Sequence, residues 1–464
     1  MIAVDLKASD ILGWTGGRGE GAVPEEFSGV STDSREPMAG ALFVALHGER
    51  FDGHAFLSKA KASGAAAALV DSRTTLPDAS LAFPRIEVDD TLQALGALAR
   101  GHRRRFTPIV IGITGSVGKT TTKELVAAAL SPLGPVLKTE GNLNNEIGVP
   151  QTILRLGPQH RAAVVEMGMN HLGEIARLAA IAEPRLGLVT NVRGVHLETL
   201  GTLEKVAEAK GELYKGLPDD GIAIADVDDP RALAQAKASG RRVFTFGRSA
   251  ADVQLLAVTR QDLRGVAFRV RAEGQEREAQ VAFLGEHNAL NGTAALATAL
   301  AAGVKLDAAL AALAAARPAP HRLAVVDLPN GGALLDDCYN ANPSSMAAAL
   351  ATLREVGAGR RLGAVLGDML ELGPEELELH RQLGNQAKGL DWLYAFGTRA
   401  RLISIGAQEA GVPEVGHGTE LEAASAWIRG QLRPGDMVLL KGSRGMKMER
   451  FATALGAPPI EGGH

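Results

Sequence analysis

Residues 109–124 read IVIGITGSVGKTTTKE, and no other stretch narrows the possible folds of this chain as far. The apolar, β-branched run from Ile109 to Ile113 predicts a buried parallel strand, and Thr121 onward predicts a helix. Between them Gly115 and Gly118 clear a turn of side chains, so that backbone N–H groups and the partial positive charge of a helix N-terminus can close on an anion. Lys119 then stands where it can reach β- and γ-phosphates, and the Thr120 hydroxyl where it can hold Mg²⁺. Thr114, Gly115, Ser116, Val117, Gly118, Lys119, Thr120 and Thr121 are therefore predicted to bind a nucleoside triphosphate. One position departs from the usual phosphate-loop pattern: Ile113, five residues before Gly118, stands where that pattern has glycine.

A chain of 464 residues is too long for one ordinary domain and suggests two to four. With 49 Lys and Arg against 53 Asp and Glu, the formal net charge of -4 argues against general attraction to nucleic acid or to a membrane surface, and small molecules are the expected partners. A single cysteine, Cys338, excludes an intrachain disulfide framework and a cysteine-rich zinc site, fits a reducing cytoplasm and is expected to be a small buried hydrophobe. The N-terminus carries Asp5 and Asp10 and has no signal-peptide pattern. No run approaches the roughly 20 apolar residues of a membrane helix, so no membrane insertion is expected.

Alternating strand and helix patterns divide the chain into three α/β stretches, 1–105, 106–318 and 319–464, the last boundary marked by Arg317-Pro318-Ala319-Pro320. In the first, the polar cluster Thr32, Asp33, Ser34 and Arg35 and the cluster from His47 to Gly53 lie beside predicted strands. They suit a polar ligand, with Arg35 on a phosphate, though each reads equally well as a solvated turn. In the second, the strand Ala162 to Val165 delivers Glu166 at its carboxyl end, where ligands of open α/β sheets sit and where a carboxylate would bind Mg²⁺. His196, taken alone, is as readily a packed or surface histidine as a ligand. The alternation from about 241 to 284 predicts antiparallel strands added to the central sheet. The third stretch repeats the strand-then-polar pattern of a doubly wound sheet but lacks a G-x-G-x-x-G turn.

Motifs along the whole length resemble those of the Mur ligase family. They include Asp33-Ser34-Arg35, Thr114 to Thr121, Gly141-Asn-Leu-Asn-Asn-Glu-Ile-Gly-Val-Pro150, Glu166-Met-Gly168, Thr190-Asn191 with His196, Lys210-Gly-Glu212, His287-Asn288 with Asn291, Asp336-Asp-Cys-Tyr-Asn-Ala-Asn-Pro343, Leu366 to Gly373 and Lys441-Gly-Ser-Arg444. Ile113 is then expected, because the family's loop lacks the first glycine. The resemblance implies a central P-loop ATPase-like parallel sheet, flanked by an N-terminal α/β UDP-binding domain and a C-terminal Rossmann-like domain. It also implies a monomer that uses ATP and Mg²⁺ to join D-alanyl-D-alanine to UDP-N-acetylmuramoyl-tripeptide through an acyl phosphate. Carried onto this sequence, it assigns Lys119, Glu166, His196 and Lys210 to catalysis, Thr120, Glu166 and His196 to metal, and Asn288, Asn291 and Asp337 to the nucleotide. Thr32, Asp33, Ser34, Arg35, Asn142, Asn145, Asn340, Lys441, Ser443 and Arg444 fall to the substrates. Lys210 corresponds to a lysine that the family can carbamylate; flanked by Glu208 and Glu212, it reads equally as an ordinary helix-surface lysine. Two other readings compete: a folylpolyglutamate synthetase-like amide ligase and a nucleotide-switched interaction protein.

Overall fold

The structure, a computed structural model, describes residues 1–48, 52–75, 83–194, 197–318, 320–370 and 372–457. The chain packs as two compact units, one of residues 1–256, 270–277 and 290–313, the other of residues 257–269, 278–289 and 314–464. Within them run three sheets, formed by three successive stretches of the chain.

The first sheet holds β1 (Ile2–Lys7), β2 (Arg18–Glu20), β3 (Glu26–Ser31), β4 (Leu42–Val44), β5 (Ala67–Asp71) and β6 (Arg85–Val88), in the order β1-β3-β4-β5-β6-β2. β3 to β6 pair in parallel, and β1 and β2 close the edges antiparallel. The parallel strands read as near-continuous apolar runs because both faces are covered. Leu42, Val44, Ala67 and Leu69 point into one core, and Phe43, Ala68 and Val70 into the other.

The second sheet comprises β7 (Ile109–Thr114), β8 (Val136–Lys138), β9 (Ala162–Glu166), β10 (Leu186–Val189), β11 (Ile222–Asp226), β12 (Arg242–Gly247), β13 (Val253–Asp262), β14 (Gly265–Ala272) and β15 (Gln275–Val281), ordered β15-β14-β13-β12-β11-β10-β7-β9-β8. From β8 to β13 every pairing is parallel. β12 and β13 thus correct the antiparallel expectation for the start of the 241–284 stretch, since alternation reports one solvated face and does not encode strand direction. The first and second sheets share a core. Leu95 and Leu98 of helix Thr91–Arg103 belong to the same apolar cluster as Val149, Ile153 and Leu178, and a Cβ on Gly96 would lie 3.0 Å from Ile181.

The third sheet, in the second unit, is formed by β16 (Ala324–Asp327), β17 (Ala333–Asp337), β18 (Leu362–Gly367), β19 (Trp392–Phe396), β20 (Glu414–Gly418) and β21 (Met437–Lys441), ordered β16-β17-β21-β18-β19-β20 with only β16 antiparallel. Alternate residues serve opposite cores: Leu335, Ala364, Leu366, Leu393 and Leu439 one face, Leu334, Val365, Trp392, Tyr394 and Val438 the other. Cys338 is fully buried, as expected. Among the described residues no helix is long and apolar enough to cross a membrane.

Candidate nucleotide and ligase site

Parallel register explains why the chemistry converges at one edge of the second sheet. β7 lies between β9 and β10, pairing Ile113 with Glu166 and Thr114 with Val189, so the glycine loop, Glu166 and Thr190 all leave the sheet side by side. Gly118, at φ +82°, turns the chain directly into a helix that begins at Lys119, two residues earlier than the sequence suggested. At Gly115, φ is +150° and a Cβ would fall 1.9 Å from Thr190 Oγ1; only glycine fits there.

The loop's tip is not bare. The Ser116 N–H donates to the Asn191 carbonyl at 3.0 Å, and the Val117 N–H to Asn191 Oδ1 at 3.0 Å. Asn191 Nδ2 and Thr190 Oγ1 both donate back to the Val117 carbonyl, at 2.9 and 2.8 Å. The Val117 side chain faces solvent. Two of the N–H groups expected to face phosphate are thus held by Asn191, which leaves the helix start at Gly118, Lys119, Thr120 and Thr121 as the anion-facing end.

Lys119 Nζ donates to the Gly115 carbonyl at 2.8 Å, and burial pulls its pKa below the ordinary lysine value while Glu166 opposes the shift. Glu166 is 2% exposed. Its Oε1 accepts from Asn144 Nδ2 at 2.9 Å and from Thr120 Oγ1 at 3.3 Å, whereas Oε2 is buried with no partner among the described residues. A buried carboxylate oxygen rarely stays unsatisfied. An unpartnered carboxylate oxygen with the Thr120 hydroxyl beside it suits a hard divalent cation such as Mg²⁺. Lys210, on helix Leu203–Lys215, is no surface residue: it is 2% exposed, lacks a hydrogen-bond or ion-pair partner among the described residues, and is pulled down to about 7 by burial and the Lys119 charge. His196 lies outside the described residues.

The asparagine-rich loop divides its labour in a way that its sequence does not reveal. Asn145 Oδ1 accepts the Gly148 N–H at 2.9 Å and the Ile147 N–H at 3.2 Å, bracing the start of helix Gly148–Leu154. Asn142 is exposed. Asn144, which the sequence reading did not single out, is the one that reaches Glu166. In the first domain, Arg35 folds back on Asp33, with Nη2 to Oδ2 at 2.6 Å and Nε to Oδ1 at 2.9 Å, and this pairing holds the Asp33 carboxyl down at about 2. Thr32 Oγ1 accepts from Gln151 Nε2 at 2.9 Å, linking the cluster to helix Gly148–Leu154; Ser34 is buried. Asn291 approaches the loop, its Oδ1 3.2 Å from where a Cβ on Gly118 would stand.

The second unit carries its own cluster. Register pairs Asp337 of β17 with Lys441 of β21, and Lys441 Nζ donates to Asp337 Oδ2 at 2.5 Å and to the Asn340 carbonyl at 2.9 Å. Burial raises the Asp337 carboxyl, with Lys441 opposing. Ser443 Oγ accepts the Leu370 N–H at 2.9 Å, steadying the loop after β18, and Arg444 pairs with Glu449 at 3.3 Å. Asn288 is buried and donates to the Leu284 carbonyl at 2.7 Å. Arg322 was missed in the sequence: its guanidinium stacks 4.0 Å from the Tyr339 ring centroid and contributes positive charge at Asp337. No local spacing could have found it, since Arg322 and Tyr339 meet only where β16 folds back on β17.

A glycine loop opening a helix beside a buried, half-satisfied carboxylate, at the carboxyl edge of a parallel sheet, defines a P-loop nucleotide-binding α/β protein. Family patterns identify which kind. Residues 26–103 match the Mur ligase family catalytic domain, 113–299 the Mur ligase middle domain, and 321–444 the Mur ligase glutamate ligase domain. The chain is 40% identical over 462 residues to UDP-N-acetylmuramoyl-tripeptide--D-alanyl-D-alanine ligase of Escherichia coli (strain K12), covering 98% of this chain and 99% of that protein. It superposes on a crystal structure of MurF from Acinetobacter baumannii with a TM-score of 0.89 at 33% identity, over 98% of this chain and 99% of that one. On MurF ligase from Thermotoga maritima in complex with ADP the values are 0.77 and 29%, over 92% and 96%. The chain belongs to the Mur ligase family.

Proposed function

We propose that this protein is an ATP-dependent amide ligase that joins D-alanyl-D-alanine to UDP-N-acetylmuramoyl-tripeptide in peptidoglycan precursor synthesis. The observation that carries the reading is the near full-length match to an enzyme of that name, in a chain whose P-loop and Glu166 are geometrically intact. The folylpolyglutamate-type alternative shares the loop chemistry, but no observation favours it over this match.

A peptide carboxylate is a poor acylating agent. Transfer of the ATP γ-phosphoryl group to it gives an acyl phosphate and ADP; the dipeptide's neutral amine then attacks the acyl carbon, the C–O bond to phosphate breaks, and inorganic phosphate leaves as the amine sheds a proton. Such chemistry needs charge neutralisation and alignment more than covalent help. Lys119 is suited to leave its loop carbonyls for the transferring phosphoryl group, and Thr120 and Glu166 to hold Mg²⁺, with His196 as a further ligand. Mg²⁺ supplies neutralisation of phosphate charge when bound. Lys210, with its pKa lowered to about 7 and no partner among the described residues, offers a substantial fraction of neutral amine near pH 7, the requirement for carbamylation, which converts its repulsion by Lys119 into attraction.

We assign residues 1–105 to the UDP substrate, where Thr32, Asp33, Ser34 and Arg35 contact it once Arg35 exchanges Asp33 for a phosphate, and residues 106–318 to ATP, with Asn288 and Asn291 toward the nucleoside. Residues 319–464 supply Asp337, Asn340, Lys441 and Arg444 for the nucleotide and dipeptide. ATP and a nucleotide-linked substrate fit a cytoplasmic enzyme, which we take to be a monomer. The test is ADP release with UDP-N-acetylmuramoyl-tripeptide plus D-alanyl-D-alanine, against folate plus glutamate. Turnover on the first pair alone, reduced by roughly 10²-fold or more in Lys119→Ala, is expected; turnover on the second pair, or nucleotide binding with no acceptor-dependent turnover, overturns the reading.

A further inference from the structure

We infer that Asp229 is a positioning residue for the nucleotide site, acting at a distance through the Thr190–Arg193 segment that straps down the tip of the glycine loop. The inference rests on the reading of that loop as the nucleotide site, and it gives a task to a buried carboxylate that the proposed chemistry leaves unused. Asp229 follows β11 and is 2% exposed. Its two oxygens face different ways. Oδ1 accepts the Ala232 N–H at 3.1 Å, capping helix Pro230–Ala238. Oδ2 accepts the Val192 N–H at 2.7 Å and Arg193 Nη1 at 2.8 Å, so one buried oxygen grips the strap by backbone and by side chain.

The strap's other side grips the loop. The Arg193 N–H donates to Ser116 Oγ at 2.8 Å, and that hydroxyl donates to the Arg193 carbonyl at 3.1 Å. Asn191 and Thr190 engage Val117 as described above. The strap lies so close that Gly115 admits no side chain beneath Thr190. Backbone geometry at Ser116 and Val117 is therefore set by where the strap lies. Three contacts set that place: the Thr190 N–H to the Thr114 carbonyl at 2.9 Å, and the two Asp229 bonds. A carboxylate suits the task because charge-assisted bonds hold their geometry more firmly than neutral ones. Arg193 supplies the compensating charge beside Asp226 and Asp228, which would otherwise repel Asp229.

The competing account is that Asp229 only caps its helix. Asp229→Ser separates the two, because serine is a good N-cap and lacks the second oxygen that reaches the strap. In calorimetric titration of the full-length protein with ADP, Asp229→Ser should bind roughly tenfold more weakly than wild type, the scale of losing hydrogen bonds to a charged group, while affinity for UDP-N-acetylmuramoyl-tripeptide and the melting temperature barely move. Arg193→Ala, altered only at the exposed end of the strap, should also weaken ADP binding and keeps the test open if Asp229→Ser fails to fold. In Asp229→Ser combined with Ser116→Ala, the losses should be less than additive. Wild-type ADP affinity in both Asp229→Ser and Arg193→Ala, or equal loss of both ligands, overturns the inference. A wild-type protein that does not bind ADP instead overturns the nucleotide reading beneath it.

Discussion

Lys210 and Lys119 are two lysines held near one another in a nearly dry part of the protein, and what Lys210 can do is decided by its having no partner among the described residues. Burial and the Lys119 charge bring Lys210 to about 7, far below the 10.5 of a free lysine. Between those values the unfolded chain binds a proton that the native one does not. Stability contributed by the neutral amine is therefore full above pH 10.5, falls as pH drops toward 7, and levels off below it. Lys210→Met should flatten that slope, seen as a smaller change in urea midpoint between pH 7 and 10. With ¹³C-bicarbonate, wild type should show a carbamate carbon resonance that Lys210→Met lacks; identical spectra at saturating bicarbonate would remove the carbamylation proposal.

At the scale of elements, the strand–loop–helix unit works because its neighbours press on it. Gly115→Ala places a methyl where Thr190 Oγ1 already stands, at a backbone angle that L-residues rarely adopt. The strap must lift, and ADP affinity should fall at least as far as in Asp229→Ser; unchanged affinity by calorimetry would mean that the loop does not need the strap. The asparagine loop offers a paired test. Asn145→Ala removes side-chain acceptors at the start of helix Gly148–Leu154 and should cost about 1 kcal/mol of stability in a denaturant titration with little change in kcat. Asn144→Ala releases Glu166 Oε1 and should lower kcat while leaving stability nearly intact. The reverse assignment of effects would show that the two side chains have exchanged roles.

At the scale of the molecule, the first and second sheets are not separable bodies. One apolar cluster runs from Leu6 and Ile11 through Leu95 and Leu98 to Val149, Ile153 and Leu178. Polar contacts follow the same seam: His102 Nε2 bonds the Leu156 carbonyl at 2.9 Å, and Arg104 pairs with Glu183. Removing residues 1–105 would strip the covering from that apolar face. The truncated chain is expected to lose cooperative thermal unfolding and to aggregate. A sharp, reversible melt of residues 106–464 with the second and third sheets intact would show that the middle domain is self-sufficient.

Local patterning was enough to locate the glycine loop, the carboxylate at the end of β9, most parallel strands and three α/β stretches, because burial on both faces writes continuous apolar runs and ligand edges collect polar residues. The short edge strands β1, β2, β16 and β20 escaped, since exposed edges carry mixed residues without a strict period. Which asparagine of Asn142, Asn144 and Asn145 faces Glu166 was decided only when β9 and the loop came together. The same holds for the burial of Lys210, the stacking of Arg322 on Tyr339, and the hold of Asp229 on a strap some 37 residues earlier in the chain. Residue type and spacing determine which groups are available; a side chain's protonation, its partner and its solvent access depend on what the fold brings up against it from elsewhere in the chain.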